Sequence, residues 1–165
     1  VADIPNLFNA AERVVLTAFD VRNVIEDVAS FLKHEAASKR IRRELQLPGD
    51  PITIHGRQSE VKLALLNVAC SLVEATRQGG RIGFHVTSNA DMAEVVLSAD
   101  EAQVDQISVS DYEQSALMSK GNNLGMLVAR LIVEAHGGEI RIDISKEHQR
   151  VTVRALLPLY IPPPR

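Results

Sequence analysis

Gly121-Asn122-Asn123-Leu124-Gly125-Met126-Leu127-Val128-Ala129-Arg130-Leu131-Ile132-Val133-Glu134-Ala135-His136-Gly137-Gly138 reads as a loop that opens a helix and a glycine pair that stops it. The apolar spacing predicts a helix over 124–136, and Gly137-Gly138 supplies a glycine C-cap. Gly121 and Gly125 bracket the helix N-terminus. There, unpaired backbone N–H groups and the positive dipole end can hold phosphate oxygens. The same short motif also fits an ordinary glycine-containing loop before a core helix.

Beyond this stretch, Glu139 to Ser145 and Arg150 to Leu157 alternate as two strands around a short polar turn, and Pro162-Pro163-Pro164 forms a stiff tail. Before it, Ser98 to Lys120 lacks a strong period and reads as a long loop of the kind that usually has a function. Ile82, Phe84 and Val86 alternate as a strand, with Val95-Val96-Leu97 as its neighbour. Ser59 to Arg77 is almost wholly apolar and predicts a central helix buried on more than one side, ended by Gly79-Gly80. Ile41 to Leu47 and the short Ile52-Thr53-Ile54 read as strands around a Pro48-Gly49-Asp50-Pro51 turn. Asp20 caps an amphipathic helix whose face is Val21, Val24, Ile25, Val28, Phe31 and Leu32. The expected architecture is a two-layer α/β sandwich: a mixed, mostly antiparallel sheet with three helices on one face. Residues 1–19 are a connector or the end of a preceding helical hairpin, 20–160 the domain and 161–165 a Pro-rich tail.

Composition narrows the function. The 165 residues are 45% hydrophobic and 24% charged, with no apolar run of the roughly 20 residues a membrane helix needs. A net charge of -3 and scattered aromatics argue against nucleic acid. The lone Cys70 sits in an apolar helical run, which excludes a disulfide framework and fits a reducing cytoplasm. His55, His85 and His148 have no mutual metal spacing, and His136 falls at a helix C-terminus, where a partial positive charge suits the dipole. The chain opens on Val1 and reads as a fragment of something longer.

This order of elements, with Phe19-Asp20-Val21 opening the first long helix and Gly56-Arg57-Gln58-Ser59-Glu60-Val61-Lys62 the second, resembles the ATPase (catalytic) domain of histidine kinases, in the GHKL or Bergerat-type superfamily. The 121–138 stretch is similar to that family's second glycine box and the helix behind it. The resemblance implies ATP and Mg²⁺ as ligands, with Gly121, Asn122, Asn123, Leu124 and Gly125 around the nucleotide phosphates. Leu65-Leu66-Asn67-Val68-Ala69-Cys70-Ser71-Leu72 resembles the asparagine box, in which two asparagines four apart reach phosphate and Mg²⁺. Asn67 fills the first place and is the Mg²⁺ candidate, whereas Ser71 stands in the second, and a hydroxyl is a weaker hard-cation ligand than an amide carbonyl. Asn67 also fits a water-bonded polar residue on a core helix.

The family's adenine-recognition stretch, Asp-x-Gly-x-Gly-aliphatic, corresponds to Ala99-Asp100-Glu101-Ala102-Gln103-Val104. In one register Ala99 replaces the acid and Glu101 and Gln103 the glycines; in the next, Asp100 is the acid or simply a surface carboxylate. A family hydroxyl residue near the last strand corresponds to Val151, and the lid phenylalanine to Tyr112. Removing one polar interaction with a buried ligand costs about 1–3 kcal/mol, so two or three such changes together imply ATP binding weakened about a hundredfold or more. The resemblance is thus to a degenerate member.

Autophosphorylation in the family needs a histidine on a dimerising hairpin. His34-Glu35 is not followed by proline and lies on the first helix, so the acceptor hairpin is expected before Val1, with Ala2 to Ala11 as its last turn. The chain alone is expected to be inactive. Its implied partners are that hairpin of the same protein and a response-regulator receiver domain, with a homodimer only in the full-length protein. Two alternatives stay open: a pseudo-ATPase docking or dimer-organising module, and the ATPase-like domain of a histidine phosphotransferase that relays phosphate between receivers. Leu66-Asn67-Val68-Ala69 through Glu74-Ala75 to Gly79-Gly80 also resembles the latter.

Overall fold

The computed structural model describes residues 16–103 and 124–165. In chain order the elements are β1 (Thr17–Asp20), α1 (Val21–Phe31), α2 (Lys33–Ser38), β2 (Arg42–Gln46), β3 (Thr53–Gly56), α3 (Gln58–Ala75), β4 (Thr76–Ser88), β5 (Met92–Ala102), α4 (Leu124–Ala135), β6 (Glu139–Ser145) and β7 (Arg150–Pro158). The main sheet runs β2-β4-β5-β7-β6, with β2 parallel to β4 and the remaining pairs antiparallel. This is the expected mixed, mostly antiparallel α/β sandwich.

The layers follow from strand alternation, which sends successive side chains to opposite faces. Ile82, Phe84 and Val86 of β4, Val95, Leu97 and Ala99 of β5, and Val151, Val153 and Ala155 of β7 are all buried in one core with the helices. The opposite face carries Arg81, Glu94, Asp100, Arg150 and Arg154, joined in ion pairs. The central helix α3 buries Val61, Ala64, Leu65, Val68, Ala69, Leu72 and Val73, contacting α1, α4 and the sheet. Its Leu63 is 47% exposed, so the apolar surface does not go all the way round.

The first helix is capped as its sequence predicts. Asp20 Oδ1 accepts from Arg22 N at 3.0 Å and from Ile52 N at 3.2 Å, tying α1 to the start of β3. Burial alone would raise the Asp20 carboxyl, but the Arg22 side chain and these backbone donors outweigh it and hold the group below its ordinary value. Val21, Val24, Ile25 and Val28 are buried as expected. Phe31 is not: the helix breaks at Leu32, whose side chain turns into the core while Phe31 is left 65% exposed.

Three boundaries differ from expectation. Thr17–Asp20 is a strand, antiparallel to β3 in a separate two-stranded sheet, so the boundary between 19 and 20 falls inside an element. The central helix ends at Ala75 and passes directly into β4, so Gly79-Gly80 does not stop it. Its last carbonyls are satisfied by Thr76 Oγ1 on Leu72 O (2.6 Å), Lys39 Nζ on Val73 O (2.7 Å) and Gln103 N on Ala75 O (2.8 Å), so no glycine cap is needed. Gly79, at φ 84°, instead lies where the β4–β5 register shifts. Strand β5 runs to Ala102, claiming the first residues of the predicted loop.

Helix α4 ends as read from sequence, in a Schellman motif. Gly137 has φ 78° and donates to Glu134 O at 3.0 Å, and Gly138 donates to Val133 O at 2.9 Å. The β6–β7 hairpin follows at the predicted positions. Beyond it, Tyr160 N donates to Thr53 O, and the Tyr160 ring stacks on His55, so residues 159–160 extend the small sheet.

Candidate functional site

The site is assembled where α3 and α4 meet. On α3, Asn67 and Ser71 sit one turn apart on one face, both partly buried. The N-terminal turn of α4 brings Gly125 against Asn67: a Cβ at Gly125 would lie 3.3 Å from Asn67 Oδ1 and 3.4 Å from its Cβ. Glycine at this position therefore lets the α4 backbone approach the carboxamide. Leu124 is 68% exposed at the helix start. An amide oxygen beside a helix N-terminus can offer a hard ligand to a cation and backbone donors to an anion in the same place.

Ser71 contributes less. Its hydroxyl donates to Asn67 O at 3.0 Å, spending its proton on the helix's own backbone. Gly121, Asn122, Asn123, Tyr112 and Val104 lie outside the described residues, as does the connector before residue 16.

Ala99 and Asp100, of the stretch expected from the resemblance to recognise adenine, divide across the sheet. Ala99 is fully buried on the helix-facing side. Asp100 projects from the opposite face and receives Arg81 Nη2 and Arg150 Nε, each at 2.5 Å. A polar cavity of about 280 Å³ lies on that outer face, lined by these three residues with Glu44, Gly83 and His85 among others. Glu101 has φ 62°, the left-handed conformation that favours glycine. Glycine geometry at 101 matches the register that aligns Ala99, rather than Asp100, with the family's acid. Val151 is buried in β7 and brings no hydroxyl.

Burial by itself would raise the Asp100 carboxyl, but the Arg150 and Arg81 guanidiniums outweigh it and hold it below the ordinary 3.8. A lowered folded-state value means stability that is complete above the unfolded-state value and lost as pH falls through the folded one. Asp100→Asn should thus be less stable than the unsubstituted chain at pH 7, with the difference closing as pH drops below about 4. Urea midpoints between pH 7 and pH 3 read this directly; a constant difference would show that the two ion pairs do not carry it.

Burial likewise raises the Cys70 thiol, with Glu35 and Glu74 adding, as suits a packing residue. Among the described residues no group of three or more His, Cys, Asp or Glu could hold a metal ion, and no helix is long and apolar enough to cross a membrane.

A two-layer sandwich whose central helix presents an asparagine to a glycine-opened helix has the fold of a histidine-kinase catalytic domain, and comparison with known proteins agrees. The chain is 23% identical over 138 residues to sporulation kinase A of Bacillus subtilis, covering 82% of this chain and 23% of that protein. It is 22% identical over 162 residues to the histidine protein kinase DivJ of Caulobacter vibrioides, covering 93% and 27% respectively. The chain thus spans about a quarter of the length of these relatives. Among solved structures, the catalytic domain of histidine kinase ThkA superposes with TM-score 0.76 at 16% identity, covering 87% of this chain and 97% of that one. The mycobacterial sensor histidine kinase MprB gives 0.72 at 22% identity, covering 88% and 98%. ThkA in complex with the response regulator TrrA gives 0.73 at 18% identity, covering 95% and 46%. No family model matches the chain.

Sequence reasoning places His136 at the α4 C-terminus but does not show what its ring touches. Its ring bridges α4 to the residue before α3, with Nδ1 2.8 Å from Ile132 O and Nε2 accepting from Arg57 N at 3.1 Å. The available signal was Gly56, where a Cβ would overlap that ring.

Proposed function

We propose that the chain is the ATP-binding catalytic domain of a two-component sensor kinase whose nucleotide site is reduced, so that Mg²⁺-ATP binds weakly. The carrying observation is the packing of Gly125 at the start of α4 against Asn67 of α3. Asn67 would hold the metal and phosphates together with the backbone of that helix start. ATP, when bound, supplies the transferable γ-phosphoryl group. The losses are specific: Ala99 stands at the acid's place, Glu101 occupies a glycine conformation, and the Ser71 hydroxyl is turned onto Asn67 O. In this reading the phospho-accepting histidine and the dimerising hairpin belong to another segment of the same protein. A receiver domain is the downstream partner, as the ThkA–TrrA complex illustrates for that kinase, and the cytoplasm is the setting this reading implies.

A second reading, a pseudo-ATPase docking module, draws on Asp100, whose carboxylate is engaged by two arginines instead of facing the helices. Calorimetric titration with Mg²⁺-ATP separates the two. The chain should bind weakly but saturably, and Ser71→Asn, which restores the second amide, should tighten binding about tenfold, the worth of one polar interaction. Absence of binding at millimolar ATP in both proteins would favour the docking module. It would equally favour an ATP-independent phosphotransferase domain, which phosphate exchange with a phosphorylated receiver would then identify.

A further inference from the structure

We infer that His136 is a positioning residue for the nucleotide site, acting from the far end of α4 by locking that helix to the start of α3. The inference rests on the reading of Asn67 and Gly125 as nucleotide ligands. Arg57 N can only donate, so Nε2 of His136 must accept; the ring proton then sits on Nδ1 and donates to Ile132 O. One imidazole in one tautomer thereby joins the last turn of α4 to the residue that caps α3. The cap has no side-chain bond of its own, so His136 occupies the junction that a capping side chain would otherwise order.

Gly56 makes the arrangement possible. A Cβ there would lie 2.7 Å from His136 Nε2 and overlap the ring edge, so the imidazole lies directly on β3 backbone. The two helices run unbroken over their 18 and 12 residues, and each carries one half of the proposed site: Asn67 in the middle of α3 and Gly125 at the start of α4. A tilt of α4 released at its C-terminal end therefore appears at Gly125, where even an added Cβ would stand only 3.3 Å from Asn67 Oδ1. Binding constellations fail when the groups that support them loosen by as little as about 1 Å.

The test compares His136→Ala, His136→Gln, whose carboxamide keeps an acceptor toward Arg57 N, and Gly56→Ala, whose methyl displaces the ring. Amide NMR spectra and Mg²⁺-ATP titration are read on each, with urea midpoints as the stability control. His136→Ala and Gly56→Ala should shift the Asn67 side-chain amide and the Gly125 backbone amide and weaken Mg²⁺-ATP about tenfold; His136→Gln should largely restore both. If the unsubstituted chain binds no ATP but the Asn67 and Gly125 signals still move and recover, the nucleotide reading fails while the positioning role stands. Shifts confined to Gly56, Arg57 and Ile132, with Asn67 and Gly125 unmoved, overturn the inference. Should His136→Ala not fold, the Gln and Gly56 variants make the same comparison.

Discussion

Gly138→Leu should destabilise the chain by about 3 kcal/mol or more, among the largest losses open to a single substitution here. Gly138 follows α4 and begins the approach to β6, with its own N–H bonded to Val133 O. A Cβ on it would overlap Leu156 O of β7 and sit 3.0 Å from Val133 Cγ1. The obstacle is strand backbone, which cannot rotate aside as a side chain can, so α4 must lift from the sheet or β7 must bend. Out of a total stability of about 5–15 kcal/mol for an ordinary domain, that is a substantial fraction. Gly137→Ala provides the contrast. Gly137 has φ 78° but only Pro158 Cγ nearby at 3.5 Å, so the loss there is the left-handed penalty of about 1–2 kcal/mol, and asparagine should lower it further. Urea denaturation of the three variants checks the order; equal losses at 137 and 138 would mean that α4 does not end against β7 as described.

That glycine pair was legible because a Schellman cap is local: its donors, acceptors and special φ all lie within six consecutive residues. The face of α1 from Val21 to Val28 and the β6–β7 hairpin are legible for the same reason, since periods of 3.6 and 2 need no knowledge of distant chain; Phe31, at the helix break, is the exception. The end of α3 was not. Its carbonyls are capped by Lys39 and Gln103, which folding alone brings to it, and Gly79-Gly80 looked like a stop signal only because those partners are invisible in sequence. Strand β1 was hidden by its brevity: of its four residues only Phe19 is buried, too little for alternation to register.

The site divides the same way. Asn67 and Gly125 are candidates because the motif around each resembles a known one, and the fold brings the two positions together. Asp100 could not be settled from sequence, because a strand turns successive residues to opposite faces and a slip of one position exchanges a buried Ala99 for an ion-paired Asp100. The left-handed backbone at Glu101, which favours one register, carries no compositional signal, since glutamate is not a residue that announces such a conformation. The bridging contact of His136 is invisible in sequence because its partner Arg57 is 79 residues away.

Gly125→Val should abolish measurable Mg²⁺-ATP binding, a loss of at least about a hundredfold, while changing stability far less than Gly138→Leu. The clearance decides the size of the effect. A single added carbon would already stand 3.3 Å from Asn67 Oδ1 and 3.5 Å from its Cγ, tight enough that alanine should weaken binding only severalfold as the carboxamide yields a few tenths of an ångström. Valine adds two branches, stiff at χ1 in a helix, to a Cβ already tight against Asn67, so either the carboxamide should swing aside or the helices should separate. The stability loss stays modest because Asn67 is partly exposed and can turn toward solvent, unlike the strand backbone beside Gly138. Asn67→Ala in the Gly125→Val background distinguishes these routes: it removes the carboxamide, leaving only the Cβ, and should recover part of the stability, yet it should not recover binding, because the proposed ligand group is gone. Calorimetry on the two single variants and the double variant carries the test. Unchanged ATP affinity in Gly125→Val would show that the nucleotide, if it binds, does so away from the junction between α3 and α4.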